Sequence, residues 1–243
     1  MIIAGKTDVG KQREMNQDFI KFHKFDEETA LLIVCDGMGG ARAGNVASEV
    51  AANSIYDFLI KKYDNSLTDH AIKTIMTSAV NCANLDVFDL AQNNSEYYGM
   101  GTTVVAVVIK DGYAYTIHAG DSRAYIIYPE GMKKITTDHS IVQQLIESQM
   151  ITEEEAKHHP KRNVITRALG VEECLESDFS IIKLEKGYTI LICSDGLTNY
   201  ADENEIFETA NNYEPEKICE KLINKANDNG GGDNISLVVA KDI

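Results

Sequence analysis

Tryptophan is absent from the 243 residues and proline occurs only three times, which excludes a proline-rich linker or a mucin-like stalk. No apolar run approaches the roughly 18 residues that a membrane-spanning helix needs. The N-terminal stretch MIIAGKTDVGKQREMNQD turns polar after three apolar residues, too few for the apolar centre of a secretory signal. Five cysteines, Cys35, Cys82, Cys174, Cys193 and Cys219, are odd in number and never form a C-x-x-C pair. Four of them lie in or beside apolar runs and are expected as small core hydrophobes, so a cytoplasmic location is expected. Positive charge is also scarce. The chain has 23 Lys and Arg against 38 Asp and Glu, a net charge of −15 with His neutral. Such an excess repels nucleic-acid phosphates and anionic lipid alike, so neither is an expected partner.

What is present is ordinary for a globular protein: 44% hydrophobic and 25% charged residues. The length predicts one domain spanning 1–243. Residues 17–24 and 30–35 read as strands. Helices are predicted over 43–62, with Val46, Val50, Ile55, Phe58 and Leu59 as the apolar stripe, and from Thr68 to about Leu90, with Ile72, Ile75, Ala79, Ala83 and Val87. TTVVAVVI and YAYTIHA form a hairpin about Asp111-Gly112, and strands follow at 123–128, 133–136, 179–184, 188–193 and 235–240. A short helix (SIVQQLIESQM) and an acidic turn (TEEEA) fall within 139–178, and two helices at 203–211 and 214–228 precede the last strand. Strands in hairpin-connected runs with helices in pairs do not make βαβ alternation. The expected class is α+β: a central antiparallel β-sandwich whose two outer faces are each covered by a helix pair.

The chemistry lies in aspartates at the ends of apolar strands. They occur in Cys35-Asp36-Gly37, in Ser194-Asp195-Gly196, in Gly232-Asp233-Asn234, in Gly120-Asp121, and at Asp18, which opens a strand. A buried strand end disfavours an isolated carboxylate, because desolvation penalises its charged form. Singly, each reads as a turn residue or helix cap. If the five strand ends converge, a cation must offset their repulsion, and hard oxygen donors select Mg²⁺ or Mn²⁺ over zinc. Arg13 in the loop Gly10-Lys11-Gln12-Arg13 suits a phosphate, which a guanidinium grips through two parallel hydrogen bonds.

Eight blocks occur in order: T-D-V-G-x-x-R-x-x-N-x-D (7–18), D-G-M-G-G-x-x-x-G-x-x-A-S (36–48), G-T-T (101–103), A-G-D-S-R (119–123), T-x-D-H-S (136–140), H-P-x-x-N-x-I-T-R-A-L-G (159–170), C-S-D-G-L (193–197) and G-G-x-D-N (230–234). Together they resemble the metal-dependent serine/threonine protein phosphatases of the protein phosphatase 2C (PPM) type, in their compact bacterial form, over essentially the whole chain. The resemblance implies that Asp36 bridges two metal ions with the Gly37 carbonyl as a further ligand. It implies that Asp195 and Asp233 complete one metal shell and that Asp18 holds metal-bound water. It implies that Asp121 with Asp195 forms a third, weaker site, that Arg13 binds the substrate phosphate, and that 139–178 forms a flap beside the cleft. The implied catalytic set is Arg13, Asp36, Asp195 and Asp233, with two Mn²⁺ or Mg²⁺ ions. The implied reaction is hydrolysis of phosphoserine and phosphothreonine by a metal-bridging hydroxide, in a monomer that opposes a bacterial Ser/Thr kinase. Animal and plant members carry His where this sequence has Met38, and a thioether cannot protonate a leaving alkoxide.

Rival readings fare worse. The stretch GMGGARAG resembles a dinucleotide loop, but Arg42 stands where the third glycine belongs. Ser122 and Ser194 lie outside any G-x-S-x-G and read as turn residues. Adjacent His158 and His159 face different ways on any regular element. Ile141, Leu145, Ile146 and Met150 are expected to pack the flap onto the body, and Glu153, Glu154 and Glu155 to start a solvated helix. A phosphatase fold that has lost catalysis would be expected to lack a metal aspartate or Arg13, and all are present.

Overall fold

The computed structural model describes residues 1–39 and 43–242. In chain order the strands are β1 (Ile2–Asp8), β2 (Asp18–Lys24), β3 (Ala30–Met38), β4 (Gly101–Thr102), β5 (Val104–Lys110), β6 (Tyr113–Ala119), β7 (Arg123–Tyr128), β8 (Gly131–Lys134), β9 (Asp178–Lys183), β10 (Thr189–Cys193) and β11 (Ile235–Lys241). The helices are α1 (Gly44–Lys62), α2 (Asp69–Asn93), α3 (Ile141–Glu147), α4 (Glu153–Lys157), α5 (Asp195–Thr198), α6 (Glu203–Asn212) and α7 (Pro215–Asp228).

The strands form two sheets, one ordered β1-β11-β10-β7-β8 and the other β2-β3-β5-β6-β9, with β4 paired to β3. Every pairing among the described strands is antiparallel. Period-two alternation sorts each strand into two cores. From β3, Leu31, Ile33 and Cys35 join the cluster beneath α1 and α2, whereas Ala30, Leu32 and Val34 face the other sheet. From β11, Leu237 and Val239 pack under α6 and α7, whereas Val238 and Ala240 enter the layer between the sheets. Each central strand is thus buried on both faces, which is why ALLIVC and TTVVAVVI read as continuous apolar runs. The four layers expected from the sequence are present. The β5–β6 turn is the expected two-residue one, with Asp111 at φ 51° and Gly112 at φ 74°, the left-handed pair that a type I′ hairpin requires.

Several local expectations need correction. β1 escaped the sequence reading because only Ala4 of its seven residues is buried; an edge strand with one weakly covered face shows little alternation. In α1 the buried residues are chiefly Ala47, Ser48, Ala51, Ala52, Ile55 and Leu59, while Val46, Val50 and Phe58 are half-buried. Small residues face inward there because α1 lies close against β3 and α2. TEEEA is a helical turn, closed by a capping box between Thr152 and Glu155. Cys35, Cys193 and Cys219 are buried, but Cys82 and Cys174 are exposed, so three cysteines rather than four belong to the core. In α3, Ile141, Leu145 and Ile146 are only half-buried, and Met150 beyond it is exposed. That segment lies lightly on the body.

Candidate metal centre

The six-stranded sheet supplies the first pair of carboxylates. β2 and β3 place Asp18 opposite Asp36 in register. β3 runs three residues past its predicted end, and the G-T-T block explains how. Thr103 Oγ1 accepts from the Asp36 N–H (3.0 Å), Thr103 N–H donates to the Asp36 carbonyl (2.8 Å), and Thr102 Oγ1 donates to the same carbonyl (2.9 Å). Ser122, read from sequence as a turn residue, hydrogen bonds Thr103 Oγ1 at 2.7 Å and so supports Asp36 from behind. Gly37 donates its N–H to the Gln17 carbonyl at 3.0 Å, and a Cβ there would lie 2.0 Å from the Gly44 carbonyl oxygen. Only glycine allows α1 to begin so close to the strand end. Residues 40–42 of the same block, including Arg42, lie outside the described residues.

The five-stranded sheet supplies the second pair. Asp195 opens α5 immediately after β10, and Asp233 precedes β11. A Cβ on Gly196 would meet the Asn234 carbonyl oxygen at 1.8 Å, so glycine is what lets these two segments touch. Ser194 occupies the N-cap of α5 yet makes no capping bond. Its hydroxyl instead donates to Asp18 Oδ2 at 2.7 Å, across the seam between the sheets, and accepts from Ser236 N–H at 3.0 Å. The sequence reading of Ser194 as a turn residue missed this bond.

Arg13, Asp36, Gly37, Asp121, Asp195 and Asp233 line one cleft of about 770 Å³, with Met38, Thr103, Asn163, Ile165 and Asn234 among its other walls. Asp18 sits behind it, buried. Burial, followed by repulsion from Asp195 and Asp233, pushes the Asp18 carboxyl up to about 7 against the hydroxyl bonds that favour its charge. Burial and then Asp18 push Asp36 well above the carboxylate range. Burial and Asp195 bring Asp121 to about 7, and burial and Asp233 raise Asp195. Arg13 offsets part of this charge: its guanidinium reaches Asp233 Oδ2 at 2.9 Å and the Gly232 carbonyl at 3.4 Å.

The donor set suits a hard divalent cation. Carboxylates dominate the oxygen donors of the cleft, the lining residues include no His or Cys, and Asp18 Oδ1 is buried with no hydrogen-bond partner. A buried, unpartnered carboxylate oxygen costs several kcal/mol by general expectation unless a cation or its water meets it. Met38 also lines the cleft and offers no titratable proton.

A second convergence was not anticipated. His118, His139 and Asp178 bring ligand-type atoms within 4.8 Å of one another, although they lie on β6, on the segment after β8 and on β9. Their bonds are already made. His118 Nε2 pairs with the Thr137 carbonyl (2.9 Å), Gly120 N–H donates to His139 Nδ1 (3.2 Å), and the Arg167 guanidinium donates to Asp178 Oδ1 (2.8 Å). Arg167 is the cation of that cluster, which ties both ends of the 139–178 segment to the sheet. Nearby, Arg123 and Asp138 form a 2.6 Å ion pair that joins the A-G-D-S-R block to T-x-D-H-S. His158 is exposed and His159 accepts from Lys161 N–H at 3.1 Å, with no part in the cleft.

The family model for protein phosphatase 2C matches residues 8–233. This chain belongs to the protein phosphatase 2C family. Among its relatives, the protein phosphatase PhpP of Streptococcus pneumoniae is 36% identical over 241 residues, covering 98% of this chain and 96% of that one. The serine/threonine phosphatase Stp1 of Staphylococcus aureus superposes with a TM-score of 0.91 at 33% identity, over 99% of this chain and 94% of that one. The catalytic domain of the serine/threonine protein phosphatase PstP, solved in complex with two manganese ions, superposes with a TM-score of 0.86 at 30% identity, covering 99% and 97%. Among the described residues of this protein phosphatase 2C, no helix is long and apolar enough to cross a membrane.

Proposed function

We propose that this protein phosphatase 2C hydrolyses phosphoserine and phosphothreonine in proteins, using Mn²⁺ or Mg²⁺ held in the carboxylate cleft. The observation that carries the reading is the convergence of Asp36, Asp121, Asp195 and Asp233 on one cleft with Arg13 at its mouth. The two-manganese complex of the PstP relative supports two ions as the working complement. Asp36, with the Gly37 carbonyl, and Asp195 and Asp233 would hold them. Asp18 would steady bound water through Oδ1, and Asp121 with Asp195 offers a weaker third position. When bound, such ions supply a nucleophilic water at neutral pH and Lewis-acid stabilisation of phosphoryl oxygens.

The chain's own residues do the remainder. Thr102, Thr103 and Ser122 fix the Asp36 backbone, and Ser194 fixes Asp18, so the carboxylates meet a cation with little rearrangement. Arg13 orients the phosphate through its planar fork and stabilises charge on the equatorial oxygens. No side chain need be phosphorylated, and Met38 does not supply the leaving-group proton. The chain acts as one catalytic domain, with 139–178 as a flap over the cleft wall. Phosphorylated proteins are its substrates; a bacterial Ser/Thr kinase is the partner it opposes, and it acts as a cytoplasmic monomer.

The test is phosphate release from a phosphothreonine peptide, with Mn²⁺ titrated from fully chelated to saturating, beside Asp233→Asn. Saturable, metal-dependent release that is lost in the variant is expected. Turnover in full chelator, or a trapped phosphoenzyme, would contradict the reading.

A further inference from the structure

The loop that carries Arg13 has little packing of its own. Val9 and residues 11–15 are exposed, so hydrophobic burial does not hold it, and its position depends on hydrogen bonds to the segment before β11. Lys11 and Gln12 donate their N–H groups to the Gly231 carbonyl at 2.8 and 3.2 Å, and Gly10 N–H donates to Asp8 Oδ1 at 2.9 Å. Asn16 Nδ2 donates to Thr7 Oγ1 at 2.7 Å across the neck of the loop, and one further side chain, from outside the loop, also closes it. Asn234 Nδ2 donates to the carbonyls of both Val9 (2.9 Å) and Met15 (3.0 Å), and Asn234 Oδ1 accepts from Gln17 N–H (2.8 Å). The three bonds reach main chain on both sides of Arg13 and use both amide hydrogens. The bond pattern also fixes the orientation of the amide: Val9 and Met15 present acceptors and Gln17 presents a donor.

Asn234 is itself immobilised. It is buried, its carbonyl lies against Gly196, and its N–H donates to Asp233 Oδ1 at 2.9 Å. We propose that Asn234 is a positioning residue that staples the neck of the 9–17 loop and thereby holds the Arg13 guanidinium at the mouth of the carboxylate cleft, preorganised for a phosphate. The proposal rests on the reading of Arg13 as the phosphate ligand. Two carbonyls flanking an exposed tip are drawn to one buried donor, so the ordering entropy of the tip is met on folding and not on substrate binding.

The test compares wild type, Asn234→Ala, Asn234→Asp, Arg13→Ala and the Asn234→Ala/Arg13→Ala double variant. In the Mn²⁺-loaded enzyme the readouts are inhibition by inorganic phosphate and KM and kcat for a phosphothreonine peptide. In the metal-free protein the readout is amide exchange at Lys11 and Gln12, whose acceptor is Gly231 and not Asn234. Asn234→Ala should weaken phosphate and raise KM about tenfold, with a smaller loss in kcat and faster exchange at both amides. It should add nothing on top of Arg13→Ala, and Mn²⁺ affinity should stay within about twofold. Asn234→Asp keeps the size and the acceptor but turns a lone pair toward two carbonyls, so it should not rescue, and it carries the comparison if the alanine variant fails to fold.

Wild-type behaviour of Asn234→Asp would overturn the proposal. So would losses that multiply with those of Arg13→Ala, or a weakened Mn²⁺ affinity, which would route the effect through Asp233. Unchanged phosphate inhibition in Arg13→Ala would remove the reading of Arg13 and this proposal with it, whereas the other outcomes leave that reading standing.

Discussion

Stripped of divalent cation, the protein should lose stability as pH rises from about 5 to about 8, and Asp18 shows how much. Its folded carboxyl titrates near 7 against 3.8 in the unfolded chain, so between those values the folded state binds the extra proton. A raised folded value means the contribution is complete below 3.8 and gone once pH passes the folded value. From about pH 5 to about pH 8 that amounts to roughly two pH units of linkage, or about 3 kcal/mol. For a chain of this size the matching fall in Tm is about 6–12 °C. Two histidines act in the opposite sense. Burial holds His118 and His139 below the ordinary histidine value, so stability from them is lost as pH falls through the same window. The clean quantity is therefore a difference. Asp18→Asn preserves shape and still accepts from Ser194, so the chelated wild type should lose about 3 kcal/mol more than the variant across that range. Thermal unfolding followed by circular dichroism, in chelator and in saturating Mn²⁺, measures both. Cation binding to the ionised cluster should flatten or reverse the slope. Equal slopes for wild type and Asp18→Asn in chelator would show that Asp18 is not protonated in the folded apo protein.

Two further outcomes are expected. Asp36→Asn should abolish metal-dependent phosphate release while leaving the apo Tm unchanged or raised, because it removes a carboxylate from a mutually repelling set; near-normal turnover would take Asp36 out of the site. Gly196→Ala must push the Asn234 carbonyl back from a 1.8 Å approach, at a cost of about 1–3 kcal/mol. Because that shift separates Asp195 from Asp233, Mn²⁺ affinity measured by calorimetry should fall with the Tm; a loss in Tm with intact affinity would show that the two loops adjust independently.

The architecture was legible because central strands with two covered faces cannot hide: ALLIVC, TTVVAVVI and ISLVVA announce burial from both sides. β1 was not legible, since its register comes entirely from β11 on one side and its own residues are mostly polar or exposed. At the site, the aspartates stood out because a charged residue ending an apolar strand is costly without a reason. Their supports did not. Ser194 reads as a turn residue until the fold brings Asp18 within 2.7 Å, and Asn234 is only the neighbour of Asp233 until its three long-range partners are assembled. The His118–His139–Asp178–Arg167 cluster draws on four separated stretches; His139 and Arg167 fall in two of the eight blocks, but nothing local in either points to the other members. The carboxylates are marked by their own chemistry, whereas the residues that support them show what they hold only in three dimensions.

The order of strands in the five-stranded sheet carries a consequence for synthesis. β11 spans Ile235–Lys241, yet it lies inside the sheet between β1 and β10. β1 has no other neighbour in that sheet and must wait for more than two hundred residues of chain before it can pair. Asp233 and Asn234 emerge just ahead of β11, so the clasp on the Arg13 loop and the last carboxylate arrive together. A nascent chain stalled ahead of Asp233 is expected to be inactive, however well the segments before it have folded. Competence is thus expected only once β11 has been made, and a few residues lost from that strand should silence the enzyme as completely as losing the site.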